Sequence, residues 1–225
     1  MFGARSRASR LSIAGVAAVL KVWGRQNSSN VQKVMWTVGE LGVRYERIDI
    51  GVEFGGNDAP AYRALNPNGL VPTVQDGDFI LWESNSILRY LAGRYGAGTL
   101  EPYDLRSRAI ASQWMDWQIS VFLPALSDAF FGLVRTPVEK RDPALIAAST
   151  ARSFDAAKIL DGALSRAAYL AGKSFSMGDI PMGVFIYRFR ALFPDRPLLP
   201  NLERWYAAIE SRAAFREHVG SIPIT

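Results

Sequence analysis

The tetrapeptide Val71-Pro72-Thr73-Val74, read with Glu83-Ser84 a few residues on, restricts this chain more than any other stretch of it. Proline has no amide hydrogen, so it belongs at the first residues or the edge of a strand. A cis bond before Pro72 would turn the N–H and C=O of Val71 outward, where they can pair with an extended ligand. The next strand ends in a carboxylate, and Ser84 then opens an amphipathic helix whose first amides and positive dipole end suit an anion. A backbone edge, an anion site and an acid for an amine together describe a pocket for a small charged peptide.

The surrounding pattern is βαβ followed by ββα. Leu20 to Gly24 reads as a first strand. From Asn30 the apolar positions Val31, Val34, Met35, Val38 and Leu41 follow helical spacing, and Gly42 ends the helix. Val43 to Ile50 reads as a second strand, and the first two strands are expected to be parallel, joined by a right-handed crossover. A short helical piece at Ala59 to Leu65 leads to the turn Asn66-Pro67-Asn68-Gly69. Val71 to Gln75 and Phe79 to Trp82 form a hairpin across Asp76-Gly77. The helix begun at Ser84 ends near Tyr95-Gly96.

Residues 20–95 therefore read as one mixed α/β domain, 96–103 as a Gly- and Pro-containing linker, and 104–225 as an all-helical domain. The helices expected there are Leu105 to Phe131, Pro143 to Ala168, Asp179 to Phe193 and Asn201 to Arg212, with a terminal turn near Phe215. Residues 1–19 stand apart. Arg5, Arg7 and Arg10 precede the apolar run Leu11 to Leu20, which fits a signal sequence cleaved after Val16-Ala17-Ala18 or a tail. The run is too short to span a bilayer. The tail reading and a cytoplasmic location are preferred, with export as the alternative, because the chain gives no hint of an oxidising compartment.

Composition removes several chemistries. There is no cysteine, so disulfides, thiolate metal sites and cysteine nucleophiles are excluded. The one histidine, His218, cannot form a multi-histidine metal site, and no metal is expected. The net charge of +5 includes the three leader arginines, and no basic stripe is interleaved with aromatics, so neither nucleic acid nor membrane is an expected partner.

Around Ser28-Ser29-Asn30 three polar residues crowd a helix start that needs one cap, which leaves a hydroxyl for a ligand. Ser176-Met177-Gly178-Asp179 is a Ser-x-x-Asp capping box, with Ser176 and Asp179 read as structural. The aromatics Trp114, Trp117, Phe122, Phe130 and Phe131 run along the first long helix, mostly as core.

With Ser28-x-Asn30-x-x-Lys33, Asn66-Pro67-x-Gly69-x-Val71-Pro72, Glu83-Ser84-x-x-Ile87 and Ser176-x-x-Asp179, the chain resembles the bacterial Ser-type glutathione S-transferases from about Leu20 to Phe215. The resemblance implies a thioredoxin-like N-terminal domain, an all-α bundle after it, and a homodimer. It implies that Val71 pairs with the cysteinyl part of glutathione and that Pro72 is cis. Glu83 and Ser84 would hold the γ-glutamyl end, Ser29 would also contact glutathione, and Ser28, supported by Asn30, would face the sulfur. Between Ser28 and Ser29 as thiolate donor, the spacing to Asn30 favours Ser28. Two positions depart from the pattern. Leu70 stands where Lys or Gln often reaches the glycine carboxylate, and Asn85 where a small apolar residue is common.

The expected activity is glutathione transfer to a small apolar electrophile, its pocket set by the packing of Trp117, Phe122, Phe130 and Tyr187, with Trp117, Phe122 and Tyr187 as the pocket residues. Glutathione is the co-substrate, and detoxification the role such a transferase serves. A thiol of pKa near 8.5 is only a few per cent ionised at pH 7. A hydroxyl donating to the thiolate is worth roughly 1.5–3 kcal/mol and a helix N-terminus about 0.3–1 kcal/mol, which lowers that pKa by about one to two units. The alternatives are glutathione-dependent peroxide or disulfide reduction, and a non-catalytic module of the same fold that binds a ligand or a protein.

Overall fold

The computed structural model describes residues 19–225, so the leader expectation lies, but for its last residue, outside the described residues. The α/β half is built on four strands, β1 (Leu20–Trp23), β2 (Tyr45–Ile48), β3 (Thr73–Asp76) and β4 (Phe79–Trp82), in the order β2-β1-β3-β4. β1 runs parallel to β2, while β3 is antiparallel to both β1 and β4. This is the thioredoxin-like mixed sheet expected from the βαβ and ββα halves. The strand expected at Val43 to Ile50 is shorter, because only Tyr45 to Ile48 finds partners on β1. The β3–β4 loop is Gly77-Asp78, and Gly77 takes φ +65°, the glycine position of a two-residue turn that matches strand twist.

Helix α1 (Ser29–Leu41) joins β1 to β2, and Gly42 closes it in the left-handed conformation, φ 61°, giving its N–H to Gly39 and Val38. Every residue from Val31 to Val38 is buried, which an amphipathic surface helix never shows. One face of α1 meets the sheet and the helix α3 (Ser84–Tyr95), and the other meets the helical half. The short α2 (Pro60–Arg63) leads to the turn at Asn66. There Asn66 Oδ1 accepts from Asn68 N at 3.1 Å, and Gly69 sits at φ +64° with Asn57 O only 3.0 Å from where a Cβ would stand.

The helical half contains α4 (Leu105–Trp117), α5 (Leu123–Phe130), α6 (Pro143–Leu164), α7 (Asp179–Leu192), α8 (Pro200–Glu210) and the single turn α9 (Ala213–Phe215). The helix expected from Leu105 to Phe131 is a continuous run to Arg135 interrupted twice by wider π turns, at Gln118–Phe122 and Phe131–Arg135. That 31-residue run is long and apolar enough by composition to cross a bilayer. Phe122, Ala125, Leu126 and Ala129 of this run are buried in the helical core, while Ile110, Ile119, Val121 and Phe131 remain exposed. α6 stops at Leu164 rather than Ala168 because Arg204 of α8 caps it, donating to the carbonyls of Leu164 (2.6 Å) and Ala167 (3.0 Å). Asp161 of α6 in turn caps α8, accepting from the Asn201 and Leu202 amides at its start, at 2.8 and 2.9 Å.

Asp179, fully buried at the first position of α7, accepts from four donors: Leu170 N, Ser176 N, Ser176 Oγ and Trp205 Nε1, at 2.8–3.2 Å. Burial nevertheless raises its carboxyl to about 6, the four hydrogen bonds opposing.

Candidate active site

A cavity of about 390 Å³ opens between the two halves. Its α/β wall consists of Arg25, Asn27, Ser28, Ser29, Asn30, Leu70 and Val71; its helical wall includes Leu123, Leu126, Phe130, Phe131, Arg135, Phe185 and Arg188.

Ser28 occupies the cap position of α1 with an extended backbone (φ −74°, ψ 123°), and its carbonyl accepts from Gln32 N at 2.8 Å. Its side chain makes no capping hydrogen bond. A serine at this position normally spends its hydroxyl on the first-turn amides. Among the described residues neither the hydroxyl nor the Ser29 and Asn30 amides has a partner, and all three residues line the cavity. Ser29 lines it as well.

The strand edge is fixed from behind. Tyr62 Oη donates to Leu70 O at 2.6 Å and pairs with Thr73 Oγ1 at 2.9 Å, while Asn66 Nδ2 donates to Leu70 O at 2.9 Å. The Val71–Pro72 bond is cis. The Val71 N–H and C=O find no partner among the described residues, so the edge is open toward the cavity. Pro72 is buried behind it. Leu70 lines the cavity while remaining 64% exposed, and it offers no charge.

Glu83 makes the corner between β4 and α3 at φ 71°, ψ 109°, a region that L-residues other than Gly enter at a cost. Its side chain is exposed. Ser84 is buried, and its hydroxyl donates to Asn30 Oδ1 at 3.2 Å. Neither residue lines the cavity; Ser84 reaches it through Asn30.

Behind this pair stands Lys33, 1% exposed. Its ammonium donates to Gln118 Oε1 at 2.7 Å, Asn85 Oδ1 at 3.4 Å and Ser84 Oγ at 3.5 Å, and sits 5.2 Å from the Phe185 ring centre. Burial pushes it down to about 7, with the Glu83 charge working in the opposite direction. Asn85, the residue that departs from the small apolar pattern, therefore has two tasks: it accepts from Lys33, and its amide donates to Met115 O at 2.7 Å.

The apolar wall differs from the one expected. Phe122 is fully enclosed, in contact with Phe189 (6.1 Å) and Trp117 (6.0 Å). Trp117 packs edge-on against Trp114 at 5.2 Å, and Tyr187 Oη donates to Ile222 O at 2.8 Å. None of Trp117, Phe122 and Tyr187 lines the cavity, which corrects the substrate-pocket expectation. A π turn adds one residue, so the Gln118–Phe122 turn rotates the residues after it by about 100° against a regular helical projection. Phe122, the last residue of that turn, is in the core, and the residues after it, Leu123, Leu126 and the expected Phe130, face the cavity. On α7 the face three residues apart, Phe185 and Arg188, meets the cavity.

Sequence reasoning also missed three cations: Arg25, Arg135 and Arg188. Arg188 donates through one terminal nitrogen to Asn27 O (3.0 Å) and Gln32 Oε1 (3.2 Å), and lies 5.1 Å from the Phe130 ring centre. Burial and then the Arg135 charge push it down to about 10, with Tyr187 opposing and Arg25 adding to the fall. Arg25 is lowered by burial and then by Arg135, against the pull of Glu53. Arg25 comes directly after the first strand, a place where a basic residue meets any ligand on the sheet edge; Arg188 carried no such signal.

Comparison with known proteins agrees with this geometry. Residues 18–93 match the family model of the glutathione S-transferase N-terminal domain, and residues 143–208 that of the C-terminal domain. The chain is 42% identical over 209 residues to glutathione S-transferase GstB of Escherichia coli K12, covering 92% of this chain and 100% of the relative. It is 32% identical over 216 residues to glutathione S-transferase 3 of Zea mays, covering 92% and 96%. A solved structure, the theta class glutathione S-transferase of Xanthomonas axonopodis pv. citri with glutathione bound, superposes with a TM-score of 0.88. It shares 48% identity with this chain and covers 92% of it and 99% of its own length.

Proposed function

The chain belongs to the glutathione S-transferase family, and we propose that it is a glutathione transferase in which Ser28 holds the glutathione sulfur as a thiolate for attack on a small electrophile. The observation that carries this reading is the Ser28 hydroxyl, free of capping duty at the start of α1 and open to the cavity beside the unpaired Val71 edge. The peptide extends along Val71 with its γ-glutamyl end toward Glu83 and Ser84. Ser28 Oγ–H donates to the sulfur, the α1 amides add positive potential, and the thiol proton leaves to solvent. Serine here stabilises an anion; it is neither nucleophile nor base. The electrophile rests against Leu123, Leu126, Phe130 and Phe185.

Removal of electrophiles from the cytoplasm by a homodimer completes the proposal. The exposed Phe79 and Trp82 of β4 and Tyr95 of α3 support an interface with a second copy. Sedimentation equilibrium measures that state.

The decisive experiment is the ultraviolet thiolate difference spectrum as glutathione is titrated into the protein at neutral pH, with Ser28→Ala and Ser29→Ala alongside. A saturable thiolate band lost only in Ser28→Ala is the expected result. Saturable binding without a band in the unaltered protein would replace the transferase with a ligand-binding module.

A further inference from the structure

The cavity has a charge that glutathione transfer to an apolar electrophile does not use. Arg25, Arg135 and Arg188 line it, and no Asp or Glu does. None of the three forms an ion pair with an Asp or Glu side chain among the described residues. Arg188 is 4% exposed; one terminal nitrogen is committed to Asn27 O and Gln32 Oε1, and the other, Nη1, has no hydrogen-bond partner among the described residues. A buried cation without a counter-ion is expensive, and one left partly unpaired at a cavity wall is a receptor for an anion. Arg135 donates through one terminal nitrogen to Thr225 O at 2.8 Å, which leaves its other N–H groups for a ligand. It lies 5.6 and 5.7 Å from the ring centres of Phe130 and Phe131, and Arg188 shares the Phe130 ring. Cation and aromatic wall are thus one surface.

Glutathione itself brings two carboxylates, and the proposed reading seats both away from this surface. The γ-glutamyl end belongs to Glu83 and Ser84. Arg25 stands beside Val71, since Arg25 Nη1 and Val71 Cγ1 lie 3.7 and 3.8 Å from the place a Cβ on Gly51 would take. On the proposed reading Arg25 then meets the glycyl carboxylate, since Leu70 offers it no charge. Arg135 and Arg188 sit on the helical wall with Phe130, where the second substrate rests.

We infer that the second substrate is an aromatic electrophile bearing a carboxylate, its ring on Phe130 and its anion held by Arg135 and Arg188. The inference rests on the transferase reading and narrows it. A thiolate attacking an anion meets like-charge repulsion, and two guanidiniums beside the acceptor offset it. Arg188, though lowered, remains protonated at neutral pH. In the reaction the sulfur lone pair forms the new C–S bond at the ring carbon, and the C–halogen bond breaks. The halide leaves with the bonding pair, and the proton released from the thiol passes to solvent.

The test compares 4-chloro-3-nitrobenzoate with 4-chloro-3-nitrobenzamide, which share leaving group and activating nitro group and differ in charge. kcat/KM is divided by the uncatalysed rate for each, and calorimetry measures binding of the two glutathione conjugates. The expected result is a preference for the carboxylate of about ten-fold or more in both readouts, lost in Arg135→Met and Arg188→Met. Arg135 is exposed, so its variant keeps the test sharp even if Arg188→Met fails to fold. Equal treatment of the pair by the unaltered enzyme would overturn the inference. So would an unchanged preference in the variants with a raised KM for glutathione, which would return the arginines to the peptide. If neither electrophile turns over, the thiolate band still decides the transferase reading, and the conjugate binding ratio alone decides for or against the anion seat.

Discussion

The hydroxyl of Ser84 donates to the side-chain oxygen of Asn30 at 3.2 Å, tying the N-terminus of α3 to that of α1. On the proposed reading, the residue assigned to the γ-glutamyl end is thereby tied to the neighbour of the sulfur-holding serine, with Lys33 behind Ser84. Asn30→Ala and Ser84→Ala are each expected to weaken glutathione binding. In a double-mutant cycle their effects fall short of additivity by about 1 kcal/mol. Calorimetric titration of the four proteins checks this; strict additivity would mean that the two helix ends act independently.

Ser28→Ala is expected to lower kcat/KM at neutral pH by roughly 10- to 100-fold, the worth of one hydrogen bond to a charged sulfur. The deficit shrinks as pH rises toward the pKa of the free thiol, about 8.5, because solvent then ionises the peptide unaided. A pH–rate profile of the two enzymes reads both effects. Ser29→Ala is expected to keep the unaltered profile.

Glu83 sits at φ 71°, so its backbone and its carboxylate pull in opposite directions. Relief of such strain is worth about 1–3 kcal/mol, against about 0.5–1 kcal/mol for the freedom that glycine adds to the unfolded chain. Glu83→Gly is expected to fold with about 1 kcal/mol more stability and to bind glutathione at least about ten-fold more weakly. Glu83→Ala loses the affinity without the stability. Urea melts beside glutathione titrations separate the two.

Lys33 titrates near 7 in the folded protein and near 10.5 when unfolded. Between these values the unfolded chain binds the additional proton, so stability rises with pH across that window and is flat in this contribution below it. Lys33→Met is expected to remove this slope. Urea midpoints taken at intervals from pH 6 to 10 on both proteins give the answer; parallel curves would mean that Lys33 stays charged throughout.

Asp179→Ala strands four donors in the core, those of Leu170, Ser176 (two) and Trp205. At about 1–3 kcal/mol for each buried group left unpaired, the loss is expected to be at least about 3 kcal/mol. Thermal melts are the measure, and a loss under about 1 kcal/mol would show that water takes the place of the carboxylate.

The sheet and its two flanking helices were legible because their signals are local. Gly42 and Gly77 end a helix and turn a hairpin through their own backbone freedom, and Pro72 marks its strand edge unaided. The features that escaped the sequence depend on partners far along the chain. Arg204 ends α6 from 40 positions away. The π turn at Gln118–Phe122 is marked only by Pro124 just after it, whose missing N–H signals a break without saying that Phe122 leaves the cavity wall. Among the candidate site residues, Ser28, Ser29, Asn30 and Val71 are brought together on one wall, because each lies at an element boundary that the sequence marks. Arg188 reads in α7 as a solvated charge; only the tertiary packing buries it.

Helix α1 belongs to the core of both halves. Trp36 meets Phe175 and Phe215 of the helical half, and Gly183 of α7 lies so close that a Cβ there would stand 2.6 Å from the indole. Arg212, after α8, clasps Glu40 of α1 with two hydrogen bonds of 2.7 and 2.6 Å. The glutathione-holding half is therefore no cassette. A chimaera that couples it to another relative's helical half inherits a misfit at Trp36 before it gains any new substrate. Variation that respects this seam is steered to α5 and the turn after it, so the acceptor range can be retuned at Leu123, Phe130 or Arg135 while the peptide-holding half stays as it is.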